Sequence, residues 1–266
     1  TVQNQNAAHA LLGYENIVDF IDCGHAWFWT NSSFTSEQLV ALGARPERCR
    51  VVYPASRYLS LPIQASAPTR DMAAKQDDGI DLLFVSRVVA HKGHANAINL
   101  ASRVQELSGQ PVRLHIVGKG LSEPSAFANK LRVVVQNATA KVVVHGPTPD
   151  DKLIELYQNV DAFICMSEHE GFGLPAFEAM RYHLPVIAWA TTAFRELLAD
   201  HPFAFDNFDI NLFASAILSL GQRNVRDRLL EIQHGILDSY SSKVIENQIA
   251  SCLLYTSDAA DDTPCV

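Results

Sequence analysis

The chain has 266 residues, of which 48% are apolar and 19% are charged, and this composition is typical of a globular protein with one large domain or two smaller ones. The net charge of −8 and the scattered positions of the 21 Lys and Arg residues exclude a broad nucleic-acid-binding surface. No apolar run approaches the roughly 20 residues of a bilayer span and no secretory leader pattern opens the chain, so we expect a cytoplasmic protein.

Residues 1–53 predict the end of a Rossmann-like domain, because helical and strand patterns alternate along them. The predicted elements are a helix over 7–22, a strand over 26–30, a helix over 35–43 and a strand over 50–53. These elements are too few to close a sheet alone, so we expect the chain to begin inside an N-terminal domain. Residues 54–79 combine prolines with small polar residues and lack a sustained apolar period, which predicts an interdomain connection.

From Ile80 onward, short β-rich runs alternate with longer segments of helical period. This alternation is typical of a doubly wound α/β domain, in which helices cover both faces of a parallel sheet. The predicted strands are 81–86, 112–117, 141–145, 162–165 and 185–188. The predicted helices are 93–108, 124–137, 149–159, 174–182, 193–199 and 211–222. We assign residues 80–251 to this Rossmann-like domain.

The residues after Ser251 break this pattern. The run from Cys252 to Asp261 resembles a translated sequencing adapter, so residues 252–266 are interpreted as an artefactual tail and left out of the fold prediction. The alternative is an ordinary polar tail.

The strongest candidate for a ligand site is residues 170–178, EGFGLPAFE, which follow the predicted strand that ends at Cys165. A Gly-x-Gly turn that leads into a helix with proline in its first turn presents free backbone N–H groups to a phosphate or a sugar hydroxyl. Glu170 before the helix and Glu178 within it are placed to hold different parts of one extended ligand. The alternative is that Glu170 caps the helix, Glu178 is a solvated surface residue and the glycines serve only a tight turn.

A second candidate site is residues 86–93, SRVVAHKG, between the first strand of the domain and its first helix. Ligands of open α/β sheets bind at the carboxyl ends of the strands, which is where Arg87 and Lys92 are expected. Arg87 offers a bidentate fork and Lys92 a mobile point charge, so together they would neutralise a leaving diphosphate. The alternative is that both are solvated loop residues.

Other motifs are weaker. Gly118 and Gly120 match the first two glycines of a dinucleotide fingerprint, but Glu123 stands at the third position, which argues against an NAD site. His91 and His94 have H-x-x-H spacing without a third ligand nearby. The chain also lacks an Asp-x-Asp triplet that would hold a divalent cation, so we predict that it needs no metal and no cofactor.

These segments resemble the family 4 retaining glycosyltransferases, whose GT-B fold has two Rossmann-like domains. The most specific likeness lies in residues 161–187, where Glu170 and Glu178 match the family's E-x7-E motif. The likeness extends over nearly all of residues 10–250. It implies a nearly complete C-terminal donor-binding domain preceded by the end of an N-terminal, acceptor-side domain.

Two further segments carry the resemblance. Residues 83–87 together with 92–93 are similar to the family's diphosphate-binding loop, although Ser86 stands where glycine is commoner. Residues 31–35 and 50–54 resemble the end of the acceptor domain. The rest of that domain supplies acceptor contacts in the family, so the resemblance leaves open whether this chain alone turns over.

The resemblance implies a role for each candidate residue. Arg87 and Lys92 would hold the donor diphosphate, Glu170 would hold the donor sugar, and Glu178 would bind the ribose hydroxyls. The backbone that would also bind the sugar belongs to Gly171, Phe172, Gly173 and Leu174. The turns that would line the nucleobase pocket contain Gly118, Gly120, His145, Gly146 and Pro147.

The resemblance also implies the reaction, which is transfer of a sugar from a nucleotide-diphosphate sugar with retention of configuration. A glycan or lipid-linked acceptor in cell-envelope polysaccharide or lipopolysaccharide assembly is expected, and peripheral association with the inner face of the membrane stays open. The alternatives are a non-catalytic or degenerate domain that binds nucleotide, and a sugar-nucleotide epimerase with the same fold. The oligomeric state is not predicted.

Overall fold

The structure is a computed structural model that describes residues 17–56, 79–120 and 125–261, with side chains to Leu253. The chain divides into two compact units, of which the first combines Thr1–Ala55 with Tyr240–Val266 and the second is Ser56–Ser239. The four segments predicted from the sequence have other boundaries, and that division stays a prediction. The start of the predicted helix over 7–22 and most of the predicted connection over 54–79 lie outside the described residues.

The first unit contains a short parallel strand pair. Strands β1 (Phe28–Thr30) and β2 (Cys49–Val51) pair in parallel, with helix α1 (Ser33–Ala41) between them in the chain. The helix begins there because the Ser32 side chain accepts a hydrogen bond from the backbone N–H of Thr35. This strand–helix–strand order agrees with the prediction for residues 26–53.

The second unit is built on a six-stranded parallel sheet. Its strands are β3 (Ile80–Val85), β4 (Val112–Val117), β5 (Lys141–Gly146), β6 (Ala162–Cys165), β7 (Val186–Trp189) and β8 (Ala204–Phe205). They lie in the order β5-β4-β3-β6-β7-β8, so the chain runs outward from β3 to one edge, returns beside β3 and continues to the other edge. The predicted doubly wound α/β fold is confirmed.

Helices follow most strands of this sheet. They are α2 (His94–Ser108), α3 (Ala126–Asn137), α4 (Asp150–Asn159), α5 (Leu174–Arg181), α6 (Phe194–Leu197), α7 (Ile210–Ser219) and α8 (Arg223–Asp238). The sequence did not predict β8 or α8. Strand β8 is only two residues long, which is too short for any period, and α8 is preceded by Gln222, an N-cap residue that makes no side-chain cap.

The sheet is buried on both faces, which is why its strands read as continuous apolar runs. On one face, Phe84 of β3 belongs to a core cluster with Ile98 of α2 and Phe213 of α7. On the other face, Phe163 of β6 lies against Tyr157 of α4, with ring centroids 6.3 Å apart. None of these five side chains is more than 1% exposed.

A buried carboxylate fixes the register between the two central strands. The backbone N–H of Asp81 donates to Oδ2 of Asp161 at 2.7 Å, and both residues are buried. The carboxylate of Asp81 in turn accepts hydrogen bonds from both ends of the Arg113 guanidinium fork on β4. The centre of the sheet is therefore tied by charge-assisted bonds as well as by its ladder.

The last helix of the chain is α9 (Ser242–Asp261), which belongs to the first unit. It continues through Ser251, and Cys252 is buried at 5% exposure, so residues 252–261 are helical rather than irregular. The origin assigned to residues 252–266 stays a prediction. Among the helices that the structure describes, none combines the length and the hydropathy that a bilayer span requires.

A buried polar network joins α8 to the second unit's sheet. Oε1 of Gln233 accepts from the backbone N–H of Val186 at 2.8 Å, and its Nε2 donates to the Leu184 carbonyl at 3.0 Å. His201 accepts the Phe203 backbone N–H at Nδ1, so its Nε2–H donates to Gln233 Oε1 at 3.1 Å. Burial disfavours the charged imidazole and lowers the pKa of His201 from 6.5 to about 4, so the neutral ring is favoured in this network.

We predict that acid weakens the second unit through this histidine. A folded-state pKa below the unfolded value means that its contribution is full above pH 6.5 and is lost as pH falls toward 4. The loss from His201 alone should reach about 2 kcal/mol at about pH 5. Urea unfolding at several pH values measures it, and His201→Gln should flatten the pH dependence whereas the exposed His169→Gln should not. An equal slope in both variants would contradict the assignment.

Candidate functional site

The candidate residues lie at the carboxyl edge of the parallel sheet, where the loops after β3, β4, β5 and β6 meet. The loop after β3 is tied to the loop after β6, because the Glu168 backbone N–H donates to the His91 carbonyl at 2.8 Å. It is tied to the loop after β4 by the Val88 N–H, which donates to the Lys119 carbonyl at 2.8 Å. The two candidate segments, residues 86–93 and 170–178, therefore adjoin each other.

An ion pair stands at the centre of this site. Nζ of Lys92 lies 2.7 Å from Oε1 of Glu170, and the two side chains are only 17% and 11% exposed. The same ammonium group donates to the His169 carbonyl at 3.3 Å. An anionic ligand would compete with Glu170 for Lys92. If Lys92 moved to that anion, the Glu170 carboxylate would be left to accept hydrogen bonds from another part of the ligand.

The N-terminus of α5 faces the same edge without a side-chain cap. Gly173 is the cap residue at φ 80° and makes no capping bond, and Pro175 occupies the first turn. A Cβ at Gly173 would lie 2.2 Å from the ring of Phe194, so glycine is required there by space as well as by φ. Pro175 has no N–H and the Ala176 N–H donates to the Gly173 carbonyl at 3.0 Å, so the backbone donor that this first turn offers to a ligand or water is the Leu174 N–H.

The alternative interpretation of the two glutamates is wrong on both counts. Glu170 makes no cap and pairs with Lys92 instead. Glu178 is 8% exposed, not solvated, and its carboxylate accepts from the Tyr157 hydroxyl at 3.1 Å and the Ser56 hydroxyl at 3.3 Å. Both carboxylates are held in place by named donors.

The two glycine turns predicted for the nucleobase pocket contact each other and the loop of residues 86–93 after β3. The Gly118 N–H donates to the Gly146 carbonyl at 2.9 Å. A Cβ at Gly118 would lie 1.9 Å from the Ser86 carbonyl, so the backbone here comes as close as only glycine permits. Gly120 packs against Val88 in the same loop. The part of this turn from Leu121 to Glu123 lies outside the described residues.

A pocket of about 390 Å³ opens beside the second of these turns. His145 forms one wall, and the residues that line the remainder are Pro147, Thr148, Pro149, Lys152, Glu155, Leu156 and Asn159. The His145 ring stacks on His115 with centroids 5.2 Å apart, and its Nε2 lies 2.9 Å from Nδ1 of His115. Burial and the neighbouring His115 lower the pKa of His145, so the neutral ring is favoured there.

The remaining candidate residues differ in their surroundings. Arg87 is exposed at the end of β3. His94 is fully buried edge-on to Phe84, and burial lowers its pKa to about 4, so it faces away from any ligand shared with His91. Within residues 17–56, 79–120 and 125–253, no three His, Cys, Asp or Glu side chains are arranged to hold a metal.

Sequence reasoning missed two residues of the site, Tyr157 and Thr192. Tyr157 lies within the predicted helix over 149–159, and its hydroxyl donates to the Glu178 carboxylate 21 residues away. Thr192 lies between the predicted strand over 185–188 and the predicted helix over 193–199, and its hydroxyl contacts the backbone of Glu170. Neither contact has a local signal, because both depend on how separate βα units pack.

A family comparison decides what this arrangement belongs to. The family model described as glycosyl transferases group 1 matches residues 68–231, which is more than half of the chain. The chain belongs to the group 1 glycosyl transferases. Among sequence relatives of this group 1 chain, the D-inositol 3-phosphate glycosyltransferase of Acidothermus cellulolyticus is 30% identical over 247 residues, covering 84% of the chain and 54% of the relative.

A second relative is the serotype-specific mannosyltransferase WbdA of Escherichia coli, which is 31% identical over 173 residues, covering 63% of the chain and 20% of the relative. The group 1 chain thus spans about half, or less, of the length of these two relatives.

Solved structures share the fold. A glycosyltransferase from Rickettsia africae superposes with a TM-score of 0.68 at 17% identity, over 87% of the chain and 63% of that protein. Anabaena Alr3699/HepE, in complex with UDP and glucose, superposes with a TM-score of 0.69 at 19% identity, over 86% and 63%. The expected GT-B-type, Rossmann-like fold is confirmed for the group 1 chain.

The crowding at the start of α5 gives a direct test of how the site is shaped. Gly173→Ala should cost about 1–3 kcal/mol more than Gly109→Ala, because both glycines have positive φ but only Gly173 has a ring where its Cβ would lie. Urea unfolding of both variants measures the difference, and Gly109, with nothing within 4 Å of its Cβ position, corrects for backbone strain. Equal costs would mean that Phe194 does not restrict the turn.

Proposed function

We propose that this group 1 chain holds the donor site of a retaining, family 4-type glycosyltransferase that needs no metal. The donor would be a nucleotide-diphosphate sugar and the acceptor a glycan or a lipid-linked sugar. The observation that carries the proposal is the Lys92–Glu170 pair, which sets a cation and a buried carboxylate side by side at the uncapped start of α5. A donor of this kind needs both, since its diphosphate is anionic and its sugar carries hydroxyl donors.

The diphosphate would lie over the loop after β3. Arg87 is exposed at the end of that strand and has the fork geometry that phosphate oxygens accept, while Lys92 adds a second charge. As the bond to the sugar breaks, negative charge grows on the departing phosphate, and these cations would stabilise it where it develops. No divalent ion is required for this role.

The sugar and the ribose would take the two glutamates. Glu170, with the backbone of Gly171 to Leu174, would bind the sugar hydroxyls, and the fixed carboxylate of Glu178 would accept from the ribose hydroxyls. The nucleobase would occupy the pocket beside His145, between the turns that contain Gly118 and Gly146. Retention would follow from attack on the face from which the phosphate leaves.

The process would be assembly of cell-envelope polysaccharide or lipopolysaccharide at the cytoplasmic side of the membrane. Two relatives, a D-inositol 3-phosphate glycosyltransferase and a serotype-specific mannosyltransferase, support this process, and the UDP and glucose bound to HepE support the donor class. In this proposal residues 80–251 form the donor domain and 1–53 the end of the acceptor domain. The alternative is a domain that binds nucleotide without chemistry, which would transfer no sugar even within the longer protein.

Calorimetric titration with UDP, GDP, ADP and NAD, without added metal, tests the donor site. One nucleoside diphosphate should bind, and Arg87→Ala and Glu178→Gln should each weaken it about tenfold, because each loses charge-assisted hydrogen bonds. Glu178→Gln keeps the size of the side chain and an acceptor for Tyr157.

Two controls accompany this titration. Arg103→Ala removes an equally charged side chain that pairs with Glu106 on α2, and it should leave nucleotide affinity unchanged. Tyr157→Phe removes the support of Glu178 while keeping its carboxylate, and should have the smaller effect. Binding of NAD, or unchanged nucleotide affinity in both Arg87→Ala and Glu178→Gln, would refute the assignment.

A further inference from the structure

The turn after β7 holds a threonine in an unfavourable backbone conformation. Thr192 has φ 48°, and among the described non-glycine residues only His183 shares a positive φ. Left-handed backbone is costly for a β-branched residue, which crowds its own main chain there. Such a conformation persists where surrounding contacts fix it.

The Thr192 hydroxyl forms hydrogen bonds with the backbone of Glu170 on both sides of its Cα. Its Oγ1 accepts a hydrogen bond from the Glu170 N–H at 2.8 Å and donates one to the Glu170 carbonyl at 2.8 Å. These two groups belong to the peptides on either side of the Glu170 Cα. The backbone N–H of Ala193 donates to the same carbonyl at 3.3 Å. The main chain of Glu170 is thus fixed from both sides by one hydroxyl.

The neighbours of Thr192 support the same loop. The Thr191 hydroxyl donates to the Ser167 carbonyl at 2.8 Å, and the ring of Phe194 fills the space over Gly173. Residues 191–194 therefore contact the loop after β6 at its start, at Glu170 and at the cap of α5.

We propose that Thr192 is a positioning residue for Glu170, and that its hydroxyl sets the carboxylate that would receive the donor sugar. The inference rests on the proposed donor site and deepens it. With both flanking peptides fixed, Glu170 keeps only its side-chain torsions, and Lys92 at 2.7 Å restrains those until a phosphate takes its ammonium group. A nucleotide sugar would meet a carboxylate that is already in place, whereas a bare nucleoside diphosphate would not depend on it.

Three substitutions separate the hydroxyl from the backbone conformation. Thr192→Ser keeps the hydroxyl, Thr192→Val keeps the shape without it, and Thr192→Gly loses the hydroxyl while relieving the backbone strain. Calorimetry compares UDP with UDP-glucose and GDP with GDP-mannose in each variant. For the nucleotide sugar that the parent chain binds, the Val and Gly variants should have an affinity about tenfold lower than the parent. Their affinity for the corresponding nucleoside diphosphate should stay within about twofold of the parent, and the Ser variant should match the parent for both ligands.

Amide hydrogen exchange provides a readout without ligand. The Glu170 N–H should exchange about fivefold faster or more in the Val and Gly variants, and at the parent rate in Ser, because only the hydroxyl protects it. The inference is overturned if Thr192→Gly binds the nucleotide sugar as the parent does, or if Thr192→Val weakens sugar-bearing and bare nucleotides equally.

These outcomes also separate the inference from the proposed function. A parent chain that binds no nucleotide removes the donor site and the inference together. A parent chain that binds nucleotide, with the Val and Gly variants unchanged, removes only the role of Thr192.

Discussion

The ion pair between Lys92 and Glu170 depends on two neighbouring parallel strands ending at the same edge. Strands β3 and β6 are paired with Leu82 opposite Ala162, and the Asp161 carboxylate holds the Asp81 backbone N–H beside that pair. A shift of one residue in this register would turn each strand's side chains to the opposite face. By holding the register at the start of β3 and β6, the buried Asp161 carboxylate thus helps to place Lys92 and Glu170 side by side beyond the other end of these strands.

Close backbone approach is the second constraint on the site. The turn after β4 lies so near the Ser86 carbonyl that only glycine fits at 118, and Phe194 leaves no room for a side chain at 173. Glycine therefore does more here than permit positive φ, since it lets four loops from separate βα units meet. Polar side chains then fix the groups that glycine brings together, since Thr192 holds the loop at Glu170 and Tyr157 holds the carboxylate of Glu178 in α5.

The sequence predicted those parts of the molecule that have a local cause. Strands β4 and β6 have the predicted bounds, because buried parallel strands read as apolar runs between turn signals. Arg87 and Lys92 could be placed at the carboxyl ends of the strands, since ligands of open α/β sheets bind there. Three contacts of the site have no local cause. Lys92 and Glu170 are 78 positions apart, Tyr157 and Glu178 are 21 apart, and Glu170 and Thr192 are 22 apart, so only the packed structure reveals these contacts.

A crystal structure of the chain with the nucleoside diphosphate that it binds tests the proposed donor site. We expect the diphosphate between Arg87 and Lys92, with the ribose hydroxyls on Glu178 and the base beside His145. We also expect Lys92 to leave Glu170 for the phosphate while the Glu170 backbone stays on Thr192. A nucleotide bound away from the carboxyl edge of the sheet, or bound there without contact to Arg87, Lys92 or Glu178, would contradict it.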